Sequence, residues 1–183
     1  MVSMDAGYLG LLLHPDAKPP LDPVTKKLLV RPQDRIEKLV DDLHAASERV
    51  VIPTPALSEF LVLAGNDLQQ YLAELNNQPS FRIQPFDLIA AVEVAAMELL
   101  ATARGGKRLP TPAETPWQKV KYDRQIVAIS KIHNAHTIYS NDDHIRVIAE
   151  DMGIKVVPCW ELPLPPSDTP LFDNIFSSEK HEP

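Results

Sequence analysis

Four carboxylates stand where they could act together: Asp5, Glu59, Asp123 and Asp142. Asp5 follows the short apolar run Val2 to Met4 and precedes a helix-like run, Tyr8 to Leu13. Asp142 follows the β-type run His136 to Ser140 and precedes a helical pattern with Ile145, Ile148, Ala149 and Met152 on one face. Asp123 opens the helical pattern of Ile126, Val127, Ser130 and Ile132, which leads back into that strand. Glu59 lies about one turn into a helix starting at Thr54-Pro55, with Thr54 expected as N-cap and Pro55 at the first helical position. Taken singly, each acid has an ordinary use as a cap or a solvated charge. Brought together, they would repel and raise one another's pKa values. A hard divalent cation relieves that repulsion, and oxygen-only ligands favour Mg²⁺ or Mn²⁺. The six histidines show no zinc-binding spacing.

The elements that must position these groups read as a parallel α/β sheet. Residues 119–157 give helix, strand, helix, strand, with Gly153 as a C-terminal stop and Ile154 to Val157 as the last strand. A helix that feeds a strand runs antiparallel to it, so Asp123 and Asp142 are expected over the C-terminal edge, where open α/β sheets bind ligands. Upstream, 14–32 reads as a proline-rich loop with at most a short helix near Val24 to Leu29. An amphipathic helix spans 33–47, with Ile36, Leu39, Val40 and Leu43 inward, and a strand covers Val50 to Ile52. A helix over 67–77 and a strand over 81–86 follow. Asp87 is expected to cap an Ala-rich helix over 87–104 that buries Val92, Ala95, Ala96, Leu99 and Leu100. Residues 105–116 form a Gly- and Pro-containing loop.

Length and composition bound the reading. The 183 residues, 44% hydrophobic, suit one α/β/α domain of three layers over residues 1–157. Residues 158–183 form a proline-rich acidic tail, expected to be partly disordered, with a small apolar cluster at Leu171, Phe172, Ile175 and Phe176. No apolar run is long enough to span a membrane, no signal peptide is visible, and the single cysteine, Cys159, fits a reducing cytoplasm. The formal net charge is −7. It is unevenly spread: residues 104–131 carry seven cations against Glu114 and Asp123. Such local basic character, rather than the total, meets a phosphate backbone, although a solvated helix face would carry the same charges.

The stretches MDAGYLGLLL, IPTPALSEFL, the IQPFD strand end, YDRQIVAIS and HTIYSNDDHI followed by GIKVV resemble the PIN-domain family of metal-dependent ribonucleases, close to the VapC-like toxins of bacterial toxin–antitoxin pairs. The resemblance spans residues 1–157 and implies a central parallel sheet. It implies Asp5, Glu59, Asp123 and Asp142 as catalytic metal ligands, with Asp143 able to share or replace the duty of Asp142. Ser140 would be the hydroxyl that orients the site. An RNA substrate, an antitoxin protein and a homodimer are the implied partners.

Two other phosphate-handling α/β classes lose on single residues. A haloacid-dehalogenase-like phosphatase needs a second Asp two residues after the first, but Asp5 is followed by Ala6-Gly7. A receiver domain needs Lys at the end of its last strand, which here ends Val156-Val157-Pro158. Two functions of different class remain. One is a Mg²⁺- or Mn²⁺-dependent endoribonuclease with Lys121 and Arg124 on the RNA backbone. The other is a non-catalytic binding module acting through its Ala-rich helix or its tail.

Overall fold

The computed structural model describes residues 1–166, so the expected cluster at Leu171 to Phe176 lies outside the described residues. Five strands make one sheet: β1 (Val2–Met4), β2 (Val50–Pro53), β3 (Phe81–Gln84), β4 (Thr137–Tyr139) and β5 (Lys155–Val157). Their order is β3-β2-β1-β4-β5, and every pairing is parallel. The helices are α1 (Ala6–Leu13), α2 (Pro32–Ala45), α3 (Thr54–Ala64), α4 (Leu68–Asn77), α5 (Leu88–Ala103), α6 (Trp117–Ile132) and α7 (Asp143–Asp151).

Strand alternation sends side chains to both faces of the sheet. Val2, Met4, Val50 and Ile52 join Tyr8, Leu9, Ile36, Phe60 and Leu75 in one core. Val51 packs with Ala90 and Ile129, and Ile138 and Val156 pack with Ile126, Val127 and Ile148. The result is the expected three-layer arrangement, with a parallel sheet buried on both sides. Ser130, buried on α6, donates to the Ile126 carbonyl at 2.8 Å and shares a 2.8 Å hydrogen bond with the Ser3 hydroxyl, pinning α6 against β1.

The order of strands fixes where a ligand can sit. From β1 the chain moves outward through β2 to β3, then crosses to β4 on the other side of β1. The topological switch point therefore lies between β1 and β4, at their C-terminal ends. Asp5 leaves β1 there and Asp142 follows β4 there.

Several local expectations change. Asp123 does not open its helix: α6 starts at Trp117, after Pro116, and Asp123 sits in the second turn. The six residues between overhang the sheet edge by roughly 9 Å at 1.5 Å per residue, which brings Asp123 level with the strand ends. Thr54 does not cap α3; its hydroxyl accepts the Phe86 N–H at 3.1 Å and ties the end of β3 to the start of α3. Residues 24–29 form no helix. Leu21 bridges Leu28 antiparallel, around a turn in which Asp22 accepts the N–H groups of Val24 and Thr25. Asp87 does cap α5, accepting the Ala90 N–H at 2.9 Å.

The burial of α5 is corrected most. Ala90, Met97 and Ala101 face inward, whereas Val92 is 62% and Leu99 73% exposed. The helix is apolar on nearly every side, so its sequence did not mark which stripe meets the sheet. Beyond β5, Pro158 to Pro166 stays on the body: Cys159 and Leu162 are buried, and Arg35 donates to the Leu162 carbonyl.

Candidate metal centre

One cleft of about 550 Å³ opens at the switch point. It is lined by all four predicted acids, Asp5, Glu59, Asp123 and Asp142, and also by Asp143, Lys119 and His144. Each acid arrives there by a different local device. Asp5 is the N-cap of α1 and accepts the Tyr8 N–H at 2.9 Å. Ser140 donates its hydroxyl to the other oxygen of Asp5. The Ser140 oxygen also accepts the Asp142 N–H at 3.0 Å, so one hydroxyl links the two strand ends. Asp142 in turn caps α7, accepting the His144 N–H at 2.7 Å. Asn141 turns the other way, its side chain accepting the Cys159 N–H at 2.8 Å.

Among the seven cations of 104–131, the structure brings one into the acid cluster itself, Lys119. Its ammonium lies 2.6 Å from Asp142 and 3.2 Å from both oxygens of Asp123. The signal was present, because Lys119 precedes Asp123 by one helical turn, the spacing of an intrahelical ion pair. Starting α6 too late hid it. His144 was also missed. One ligand atom each from Asp123, Asp142 and His144 lies within 4.8 Å of the others, a spread that suits one cation. Gly7 lines the same cleft; a Cβ there would lie in ordinary van der Waals contact with Asp5 Oδ1, at 3.4 Å.

Charge in the cleft is unevenly balanced. Burial pushes the carboxyl of Asp5 up to about 6, against the hydrogen bonds from Ser140 and Tyr8, with Asp142 and Glu59 adding to the rise. Burial also pushes Asp123 up to about 6 despite Lys119, and Asp142 adds to that. Glu59, more exposed than Asp5, Asp123 and Asp142, is raised by partial desolvation at the cleft, with Lys119 opposing and Asp142 adding. Burial would raise Asp142 too, but the Lys119 ammonium and the His144 N–H outweigh it and hold this carboxyl below its usual range. The Lys119 ammonium is held above its ordinary value: burial pulls it down, and Asp142 and Asp123 more than compensate. Asp123 is only 3% exposed, and its Oδ2 accepts no hydrogen bond.

The remaining predicted residues separate. Asp143 lines the cleft, but its side chain is 75% exposed and pairs outward with Arg146 at 2.6 Å. Glu59 is exposed on α3. Lys121 is exposed on α6, its ammonium 5.5 Å from the Trp117 ring centre. Arg124 is corrected. It is 1% exposed and donates to the carbonyls of Lys107 and Leu109 at 2.8 and 2.9 Å, so its guanidinium anchors the 105–116 loop and does not face solvent. Only Nη2 of the buried guanidinium finds loop carbonyls; Nη1 makes no hydrogen bond and has Glu98 as a charge partner at 3.9 Å.

With this geometry in view, solved structures supply a frame. VapBC2 from Rickettsia felis, bound to a DNA fragment from their promoter, superposes with a TM-score of 0.52 at 15% identity, covering 86% of this chain and 98% of the matched one. DNA-bound VapBC from Salmonella typhimurium gives 0.52 at 14% identity, covering 87% and 99%. The chain has a PIN/VapC-like fold. At such identities the likeness is one of fold. No protein-family model matches the sequence, and no curated protein matches it significantly.

The donor set fits a divalent metal ion. Asp123 presents a buried carboxylate oxygen without a hydrogen bond, 3.2 Å from the Lys119 ammonium, and Asp142 is held ionised. Among the described residues no helix is long and apolar enough to cross a membrane.

Proposed function

We propose that this protein is a metal-dependent endoribonuclease and the toxin of a toxin–antitoxin pair. The observation that carries the reading is the grouping of Asp123, Asp142 and His144 inside a cleft lined by five acids, at the switch point of a PIN/VapC-like sheet. Asp123 and Asp142 would hold Mg²⁺ or Mn²⁺, with Asp5, Glu59 and Asp143 lining the same cleft. When bound, such an ion supplies an acidified water and charge stabilisation for phosphodiester hydrolysis.

The chain's own residues do the rest. Ser140 fixes Asp5 and the Asp142 backbone in one register, so the two strand ends present their carboxylates together. Lys119 offsets the negative charge of Asp123 and Asp142 and would add positive charge for a phosphate bound in the cleft. Lys121, exposed on α6, is suited to the RNA backbone.

The antitoxin partner is supported by the matched complexes, which are toxin–antitoxin assemblies solved on DNA. The exposed apolar side of α5, with Leu88 79% exposed, supports both the homodimer and the second reading, a non-catalytic module acting through that helix. The test is cleavage of a mixed RNA pool with Mg²⁺, with Mn²⁺ and with chelator, followed by mapping of the ends. Discrete metal-dependent ends support the nuclease. An intact pool under all three conditions supports the binding module. A matched single-stranded DNA pool separates RNA from DNA as substrate.

A further inference from the structure

The sequence points to an oxygen-only site, but a nitrogen sits in it. His144 is the second residue of α7, and its backbone N–H is committed to Asp142. Its ring turns back over the same carboxylate, Nδ1 lying 3.8 Å from Asp142 Oδ1. That nitrogen is buried and makes no hydrogen bond. The opposite nitrogen, Nε2, lies 3.5 Å from the hydroxyl of the buried Thr115. A buried polar atom without a partner is costly, so its persistence calls for a reason.

Asp123 Oδ2, in the same three-residue group, likewise accepts no hydrogen bond and has the Lys119 ammonium 3.2 Å away as its charge partner. Ligand atoms bonded to one ion at about 2.0 to 2.3 Å lie roughly 3 to 4.5 Å from each other, and the observed spread of up to 4.8 Å is close to that. A hydrogen-bond acceptor on Thr115 would select the tautomer with its proton on Nε2, leaving the Nδ1 lone pair toward Asp142. This is how outer partners set a ligating imidazole.

We propose that His144 gives a nitrogen ligand to the ion held by Asp123 and Asp142, so that the site is mixed oxygen–nitrogen and takes Mn²⁺ ahead of Mg²⁺. The inference rests on the metal-dependent reading above. Imidazole nitrogen suits transition-metal ions, whereas Mg²⁺ keeps to oxygen and water. Thr115 is then a positioning residue, reaching the ion only through the ring. The 105–116 loop gains a purpose as well: anchored by Arg124, it carries Thr115 to the ring.

The test uses the full chain with Mn²⁺ alone, read by electron spin-echo modulation and by equilibrium titration. Bound Mn²⁺ should show ¹⁴N modulation in the unaltered protein, and Mn²⁺ should bind at least roughly tenfold tighter than Mg²⁺. His144→Gln should abolish the modulation and weaken Mn²⁺ roughly tenfold or more, with Mg²⁺ affected less than about threefold. Thr115→Val should keep the modulation and weaken Mn²⁺ by a smaller factor. Should His144→Gln fail to fold, the spectrum of the unaltered protein together with Thr115→Val still decides. Bound Mn²⁺ without ¹⁴N modulation overturns the nitrogen ligand and leaves the metal site standing. No bound Mn²⁺ at all overturns the metal-dependent reading itself.

Discussion

The ammonium of Lys119 lies 2.6 Å from the carboxylate of Asp142, in the gap between that residue and Asp123. The two acids come from different elements, and a cation from the protein itself joins them. A divalent ion and Lys119 therefore draw on the same oxygens. Lys119→Met removes a half-buried ion pair worth about 1 kcal/mol and one positive charge from the cleft. Both effects favour a metal ion. We expect Mn²⁺ or Mg²⁺ affinity to rise roughly fivefold by calorimetric titration. Turnover should fall nonetheless, because the ammonium is no longer available to the substrate phosphate. Unchanged affinity would show that the ion sits elsewhere in the cleft.

A pH dependence follows from Asp5 and Asp123. Both carboxyls are held at about 6 in the fold against an ordinary 3.8. The folded state thus binds protons more tightly than the unfolded chain between these values. By linkage, this part of the stability is greatest below pH 4, falls as pH rises from about 4 to 6, and is flat above. Asp142, held low, acts the other way and only below about pH 4. Asp5→Asn retains an N-cap for α1 while removing the charge, so it should stabilise the metal-free protein at pH 7 by about 1 to 3 kcal/mol. Melting in chelator at pH 7 and pH 4 checks this: the gain belongs to pH 7 alone. Metal binding should strengthen through pH 6 as the same carboxyls ionise.

Arg124 and Lys121 are neighbours in sequence range but opposite in role. Arg124→Ala leaves the carbonyls of Lys107 and Leu109 without their donor and a hole beside Trp117. It should cost about 2 to 4 kcal/mol in denaturant unfolding. Lys121→Ala should leave stability within about 0.5 kcal/mol and reduce the salt slope of RNA binding by about 1. Reversed phenotypes would contradict the placement of both.

The adjacent acids Asp142 and Asp143 are separated by their partners. Asp142 is tied to Lys119 and the His144 N–H, whereas Asp143 points out to Arg146. Asp142→Asn should lower cleavage severely, by roughly a hundredfold, and Asp143→Asn by less than about fivefold. Asn at 142 can still cap α7, so melting temperatures should stay close to that of the unaltered protein. Loss of cleavage in Asp143→Asn alone would move the ligand by one residue.

The sequence carried the sheet and the edge of the site because strand, acid and helix recur in a fixed order at Asp5 and Asp142. It did not carry the partners, which depend on how separate helices face one another. Lys119 was hidden by a helix start placed six residues late. Arg124 looked like a substrate contact because charge says nothing of burial, and a buried guanidinium needs carbonyls that are distant in sequence. His144 gave no zinc-type spacing because its companions are carboxylates, Asp142 two residues before it and Asp123 brought in by α6. The face of α5 was unreadable because the helix is apolar on nearly every side, so periodicity could not choose the stripe that meets the sheet.

The central claim is that Asp123 and Asp142 hold a metal ion for RNA cleavage. Asp123→Asn tests it most directly, because it keeps the shape of the most buried acid in the cleft and removes only its charge. The measurement is cleavage of an end-labelled RNA pool with saturating Mn²⁺, paired with Mn²⁺ titration of the same samples. The account predicts that the unaltered protein cleaves only with metal. It predicts that Asp123→Asn loses roughly a hundredfold or more in both rate and Mn²⁺ affinity, with its melting temperature in chelator equal or higher. Metal-dependent cleavage at the unaltered rate by Asp123→Asn would contradict the account.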